Sequence, residues 1–400
     1  MTTPSWNPLR LSGTALPAPL LLAAKLIVIT MLATGHVGTL PDPFLPFLPV
    51  FDRIGNPELF RRLLQVLFLS GSVALLLNRR VRLASLVVGV TMLVGIAASR
   101  IYWANNTFFC GAVLTLIGLH ASERSVWLLR VQVALIYLGA GLNKILDPDW
   151  LSGQFFEHWA VENLGHDLYI RVAALLPPMV LSKLMGWATI ATELSLFVGF
   201  AVPRLWPFAI WLGILFHASM TVFTGITFVL FLYVAPAAYF AFARWPAART
   251  EVLYDGDCGI CAKTKRWFEA LDLENAFRWT AYQTGFGDRF GISRAALAKH
   301  LHIVVDGERI ASGFRAFKTM LLTNPVTWFV LLAVLLSLHW GPSWARSLIL
   351  VGMIGFFLPV FDRVGEAAYD LVARNRDRLG RTPEACAVPS GGKEEQDPGS

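Results

Sequence analysis

The pattern of hydrophobic positions divides the 400-residue chain into two unlike parts. Through the first 245 residues, apolar runs recur near 19–37, 59–78, 82–101, 107–121, 125–146, 179–202, 205–223 and 226–244. A helix needs roughly 17–25 such residues to cross a bilayer. The eight runs therefore predict a polytopic α-helical membrane bundle, the fourth run being the shortest. Between the fifth and sixth lies an expected polar-aromatic loop, Asp147–Pro178, with Trp150, His158, Trp159 and His166.

From Glu251 onward, charges become frequent and the segments shorten. The pattern predicts strand 251–254, helix 259–271, strand 277–282, a helical stretch 293–299 and strand 301–305. An Asp306-Gly307 hairpin turn, strand 309–312 and helix 313–322 complete it. That β-α-β-α-β-β-α order is the thioredoxin-like arrangement, so a small α/β domain follows the bundle. Two further apolar runs, Val326–Trp340 and Ala345–Val360, are short for spans and predict a membrane-associated or re-entrant hairpin. The expected organisation is an N-terminal tail (1–18), a transmembrane domain (19–245) and a thioredoxin-like domain (250–324). An apolar hairpin (325–361), a C-terminal helix (362–380) and a disordered Gly/Glu/Pro-rich tail (381–400) follow. One nine-residue phrase, Phe47-Leu48-Pro49-Val50-Phe51-Asp52-Arg53-Ile54-Gly55, recurs with one change as Phe357–Gly365. It reads as two similar helix-to-interface turns.

Composition strengthens the membrane reading. The chain is 55% hydrophobic and 15% charged, against roughly 25% charged in soluble domains. The net charge of +7 comes largely from Arg near the ends of apolar runs, with no Lys/Arg stripe interleaved with aromatics. The expected partner is a lipid bilayer, not nucleic acid. Arg79, Arg80, Arg82, Arg124, Arg204, Arg244 and Arg249 fall on one side of eight crossings; Arg53, Arg61, Arg62 and Arg100 fall on the other. The bias puts the C-terminal domain on the cytoplasmic face, in a bacterial cytoplasmic membrane.

The chain has four cysteines, Cys110, Cys258, Cys261 and Cys386, too few for a disulfide framework. Cys258 and Cys261 form a C-x-x-C between a strand and a helix, after the turn Asp255-Gly256-Asp257. At a helix start the dipole stabilises a thiolate, and Lys263, Lys265 and Arg266 add positive field. Asp257 opposes this unless it accepts a proton; it also suits a helix N-cap. A structural zinc site needs two further close ligands, and His300 and His302 offer one between them. No metal is expected.

Within the apolar runs, Arg130, Lys144, Glu193 and His217 are costly charges or polar groups. They predict either a buried salt bridge, Arg130 or Lys144 with Glu193, or a ligand pocket.

Two resemblances give these residues a setting. Residues Tyr254–Cys261, Phe277-Arg278-Trp279, Gln283, Asp306-Gly307, Ser312–Leu321, Ala373–Arg376 and Cys386-Ala387-Val388-Pro389 resemble the DCC family of thiol-disulfide oxidoreductases. The resemblance implies a thioredoxin-like fold with Cys258 attacking and Cys261 resolving. Asp257 belongs with the catalytic pair; Asp255, Lys263 and Cys386 are supporting redox candidates. No proline precedes the third strand where a thioredoxin has one, so substrate binding is expected to differ.

The membrane part resembles the HTTM domain shared with vitamin K-dependent gamma-carboxylase. Asn105-Asn106-Thr107, Leu129-Arg130-Val131-Gln132, Ala140–Gly153, Glu193–Leu196 and Leu215-Phe216-His217 carry that likeness. It implies a pocket of Arg130, Gln132, Lys144, Glu193 and His217, with Lys144 as base and a quinone as ligand. Thr107 and Asn143 depart from the carboxylase pattern, so glutamate carboxylation is not expected.

The expected function is an integral membrane thiol-disulfide oxidoreductase acting on a protein or small-molecule thiol/disulfide partner and exchanging electrons with a quinone. The alternative is a carboxylase-like, transporter or scaffold bundle with a redox-sensing domain.

Overall fold

The computed structural model describes residues 7–102, 104–120, 123–224, 229–241, 250–305, 307–339 and 359–375, with isolated positions between 340 and 358. The chain forms two compact units: 1–245 with 325–358, and 246–324 with 359–400.

The first unit is helical. Its long elements are α1 (Ala18–Ala33), α2 (Pro57–Leu76), α3 (Val81–Ala98), α4 (Asn105–Gly118) and α5 (Glu123–Leu146). The short α6 (Pro148–Ser152), α7 (Gln154–His158) and α8 (Asp167–Ala173) follow. Then come α9 (Val180–Ala201), α10 (Trp206–Thr224) and α11 (Val229–Ala241). Among the described residues, four stretches are long and apolar enough to cross a membrane: α2, α3, α9 and Val126–Leu146 of α5. The helices α1 and α4 are apolar but shorter.

Large apolar side chains such as Leu59, Leu63, Val66 and Val73 on α2 lie exposed, which suits hydrocarbon rather than water. Close approach replaces the hydrophobic effect between such helices. A Cβ at Gly89 of α3 would fall 2.4 Å from the Thr115 backbone nitrogen of α4. Lys25, fully buried in α1, donates from Nζ to the Arg10 carbonyl at 3.2 Å, so the N-terminal segment satisfies a charge within an apolar helix.

The stretch expected as the loop Asp147–Pro178 contains α6, α7, a π-turn at Trp159–Asn163 and α8. Aromatic contacts hold it: Trp150 stacks on Phe155 at 4.1 Å, and Phe156 and Trp159 meet Phe223. Polar punctuation hid this local helical spacing. Helix α15 (Pro325–His339), the first half of the expected hairpin, belongs to this unit and receives the Tyr233 hydroxyl at the Leu335 carbonyl, 2.9 Å. Most of the second half lies outside the described residues.

The second unit has a four-stranded sheet of order β2-β1-β3-β4. Strand β1 (Thr250–Tyr254) pairs parallel with β2 (Phe277–Ala281) and antiparallel with β3 (His302–Val305), which pairs antiparallel with β4 (Glu308–Ser312). Alternation sends Val252 and Leu253 to opposite faces. Val252 joins Phe268, Ile303 and Met320; Leu253 joins Ile292, Leu297 and Val304. The helices are α12 (Gly259–Leu271), α13 (Arg294–Lys299), α14 (Gly313–Thr323) and α16 (Pro359–Arg374).

Helix α16 begins at Pro359 rather than near 362, because proline suits the first helical turn. Its counterpart in the repeated phrase, Pro49–Arg53, is a single 3₁₀ turn, so the two copies form different elements. Polar clamps fasten α16. The Glu366 carboxylate accepts from the Phe314 and Arg315 amides, each at 3.2 Å, and Lys318 meets Asp362 at 2.7 Å. Glu366→Ala leaves the first amides of α14 unpaired and removes a carboxylate from its positive end. A loss of about 1–2 kcal/mol is expected, read as faster hydrogen exchange in α14 and α16.

Candidate functional site

Strand β1 ends in a tight turn that delivers Cys258 to the first turn of α12. Asp255 Oδ1 accepts from the Asp257 amide at 3.2 Å, an Asx turn. Gln283, after β2, locks this turn: its Nε2 donates to Asp255 Oδ1 at 2.7 Å and Asp257 Oδ2 at 3.1 Å. Its Oε1 accepts from the Gly256 amide at 3.1 Å. The helix cap is Cys258 itself, whose Sγ accepts from the Cys261 amide at 3.5 Å. Asp257, one of the two expected roles of which was N-cap, is exposed and held by Gln283 instead. The carboxylate whose charge acts on both cysteines is Asp255.

Cys258 and Cys261 are present as free thiols. The Cys258 thiol is lowered to about 6, chiefly because the Cys261 S–H donates to its sulfur. Burial opposes this; the amides of Cys261 and Ile260 add to the lowering, and Asp255 pushes back. Cys261 is pushed far above the ordinary thiol range, since its proton is shared with Cys258 and it is itself buried. One thiol is thus ionised near neutrality and the other keeps its proton. The lowering comes from S–H and N–H donors; Lys263 is exposed, and Lys265 pairs with Glu269 at 3.7 Å. Cys386 lies outside the described residues.

Sequence reasoning had not assigned Tyr369 and His300 to the site. Tyr369 of α16 is pushed up to about 12, first by burial and also by the charges of both cysteines. Its hydroxyl accepts from the Leu301 amide, just before β3, at 3.0 Å. His300 stacks on Tyr369 at 5.6 Å, and its Nε2 lies 3.6 Å from Asp370. No local pattern links positions so far apart in the chain. Alkylation of reduced protein by iodoacetamide should rise with pH through a midpoint near 6 at Cys258, as the thiolate forms, while Cys261 stays unmodified up to pH about 9. Peptide mapping after pulsed labelling reads both.

In the membrane unit, the expected residues separate into three places. Lys144 Nζ of α5 meets Glu193 Oε1 of α9 at 2.9 Å and stands 4.8 Å from the Trp150 ring centre. Glu193 is 6% exposed, and its Oε2 has no hydrogen-bond partner among the described residues. His217 Nε2 contacts the Tyr137 hydroxyl at 2.7 Å, and Tyr137 in turn bonds the Tyr239 hydroxyl. Tyr137 and Lys144 are seven apart on α5, two helical turns along one face. Arg130 instead lies 5.3 Å from the Trp206 ring. Fourteen residues along a helix is about 21 Å, which removes Arg130 from the Lys144 site. Half-buried Gln132, twelve residues away, is about 18 Å distant. Lys144→Met should destabilise the bundle by about 3–5 kcal/mol by leaving Glu193 unpaired. Adding Glu193→Gln should restore most of the loss in detergent melts.

Residues 252–349 match the family model described as DCC1-like thiol-disulfide oxidoreductase, and residues 93–245 match the HTTM domain. No curated protein and no solved structure gives a match. The chain therefore carries an HTTM domain followed by a DCC1-like thiol-disulfide oxidoreductase domain.

Proposed function

We propose that this protein is an integral membrane thiol-disulfide oxidoreductase in which Cys258 attacks and Cys261 resolves. The observation that carries the reading is the unequal pair. A thiolate at the cap of α12 and a neighbouring thiol that retains its proton match the two successive roles in exchange. The family match for 252–349 supports an oxidoreductase activity, and the apolar helices with the HTTM match support a bilayer setting. Gln283 fixes the turn, and Asp255 is the nearby group suited to receive the Cys261 proton when that thiol resolves a mixed disulfide. The Arg bias along the bundle favours an orientation with the cysteines facing the cytoplasm, in a membrane we take to be a bacterial cytoplasmic one.

A quinone in the membrane unit is a second reading, supported by buried Glu193 with one unpartnered oxygen beside Lys144 and by the His217–Tyr137–Tyr239 chain. Bound, it would supply a two-electron acceptor. Lys144 and Glu193 would orient it, and the Tyr137 hydroxyl would donate or accept a proton. Solvent extraction of purified protein checks this: quinone should be recovered from wild type and lost from Lys144→Met paired with Glu193→Gln.

For the redox reading, Cys258→Ser in the full chain should abolish turnover of a small neutral model disulfide. Cys261→Ser should instead accumulate a mixed disulfide at Cys258, visible by intact mass. Undiminished turnover in Cys258→Ser overturns the assignment.

A further inference from the structure

A cavity of about 440 Å³ lies against the cysteine pair, entirely within the α/β unit. Its walls are carbon-rich, with Phe314, Phe317 and Phe361 on one side and Ile260, Leu297 and Leu301 among the rest. Cys258 and Cys261 both border it. Cys258 as a residue is only 8% exposed, so its sulfur is met through this cavity rather than on open surface. The α16 side of the cavity carries Val364, Ala368 and Val372, spaced one turn apart, with Val364 59% and Val372 43% exposed. The entrance is therefore apolar as well as the interior.

These features restrict what can reach the thiolate. A charged group entering such a site sheds its water and meets few polar partners, chiefly Asp255, Lys299 and His300. Asp255, which borders the cavity and acts on both sulfurs, adds repulsion toward an anion, while Lys299 at the same cavity works the other way. A polypeptide pairing its backbone beside β3 finds the Leu301 amide already given to the Tyr369 hydroxyl. A volume of this order suits a small molecule.

We infer that the substrate of the cysteine pair is a small, uncharged disulfide with apolar or aromatic substituents, seated in this cavity; this rests on the thiol-disulfide reading above. The Cys258 thiolate attacks one substrate sulfur, the S–S bond breaks, and the first thiolate leaves. Cys261 then loses its proton and attacks Cys258 Sγ, releasing the second thiolate. The protein gives up two electrons and ends as a disulfide. The substrate gains two electrons and, with two protons, becomes two thiols.

The test uses full-length reduced protein in detergent with Cys386→Ser, leaving Cys110 buried in α4. Oxidation of the Cys258–Cys261 pair is followed with dithiodipyridine, which is neutral, and with dithiobis(nitrobenzoate), which is a dianion. Each rate is divided by that of mercaptoethanol thiolate with the same probe. A preference for the neutral probe of about ten-fold or more is expected. Val364, being exposed, accepts a charge without loss of fold. Val364→Lys should raise the dianion rate several-fold, and Val364→Glu should lower it. Equal normalised rates, or one ratio shared by both variants, overturn the cavity assignment and leave the redox reading standing. A requirement to delete 381–400 before either probe reacts would show the chain's own end filling the cavity, and also overturns it. If neither probe oxidises the pair in any form, the thiol-disulfide reading fails and this inference with it.

Discussion

The first amides of α12 have no partners within the helix, and the side chain that meets them belongs to Cys258 rather than to a serine or aspartate. A sulfur accepts hydrogen bonds poorly as a thiol and much better as a thiolate. Capping therefore couples the start of the helix to the ionisation of the cysteine. Much else in the unit serves to hold that sulfur in place. Strand β1 is central in the sheet, paired on both edges, so its C-terminal end is fixed. Gln283 reaches from the end of β2 to hold three groups of the intervening turn. Cys261, one helical turn on, supplies both an N–H and an S–H to the same atom.

The surroundings of the pair depend on α16. Glu366 closes the N-terminus of α14 from another part of the chain, and Lys318–Asp362 adds a second tie about one turn away. The Tyr369 hydroxyl meets the Leu301 amide just before β3, where this chain has no proline. It also withdraws an amide from solvent that would otherwise be open to a docking strand.

Much of this was legible in the chain. The order of strands and helices from Thr250 to Thr323 follows from short periodic segments whose ends are marked by Gly, Asp and Ser. Observed boundaries differ from expectation by a residue or so. Of the eight expected spans, four described helices, α2, α3, α5 and α9, show the length and apolarity of a crossing. What stayed hidden is tertiary. Asp257 adjoins Cys258 in sequence, yet the turn directs its carboxylate to Gln283 and places Asp255 by the sulfurs. Lys263 and Lys265 are near in number, but Lys263 is exposed and Lys265 lies by Glu269 and over the Tyr254 ring. Arg130 and Lys144 both looked able to pair with Glu193; rise along α5 decides for Lys144. Tyr137 and Tyr239 passed as ordinary apolar-run residues because only packing shows the Tyr137 hydroxyl meeting both His217 and the Tyr239 hydroxyl. Polar punctuation in 147–178 masked short helices that pack through their aromatics on one another and on Phe223.

The α/β unit is not continuous in the chain: residues 325–358, which belong to the membrane unit, separate α14 from α16. During synthesis the sheet, the turn and both cysteines leave the ribosome before that apolar insertion does, and α16 comes only after it. Until then Tyr369 is missing from the Leu301 amide and Glu366 from α14. The sulfurs consequently face water first and their finished surroundings second. Completion of the redox centre therefore waits on synthesis of the insertion, an order written into the connectivity itself.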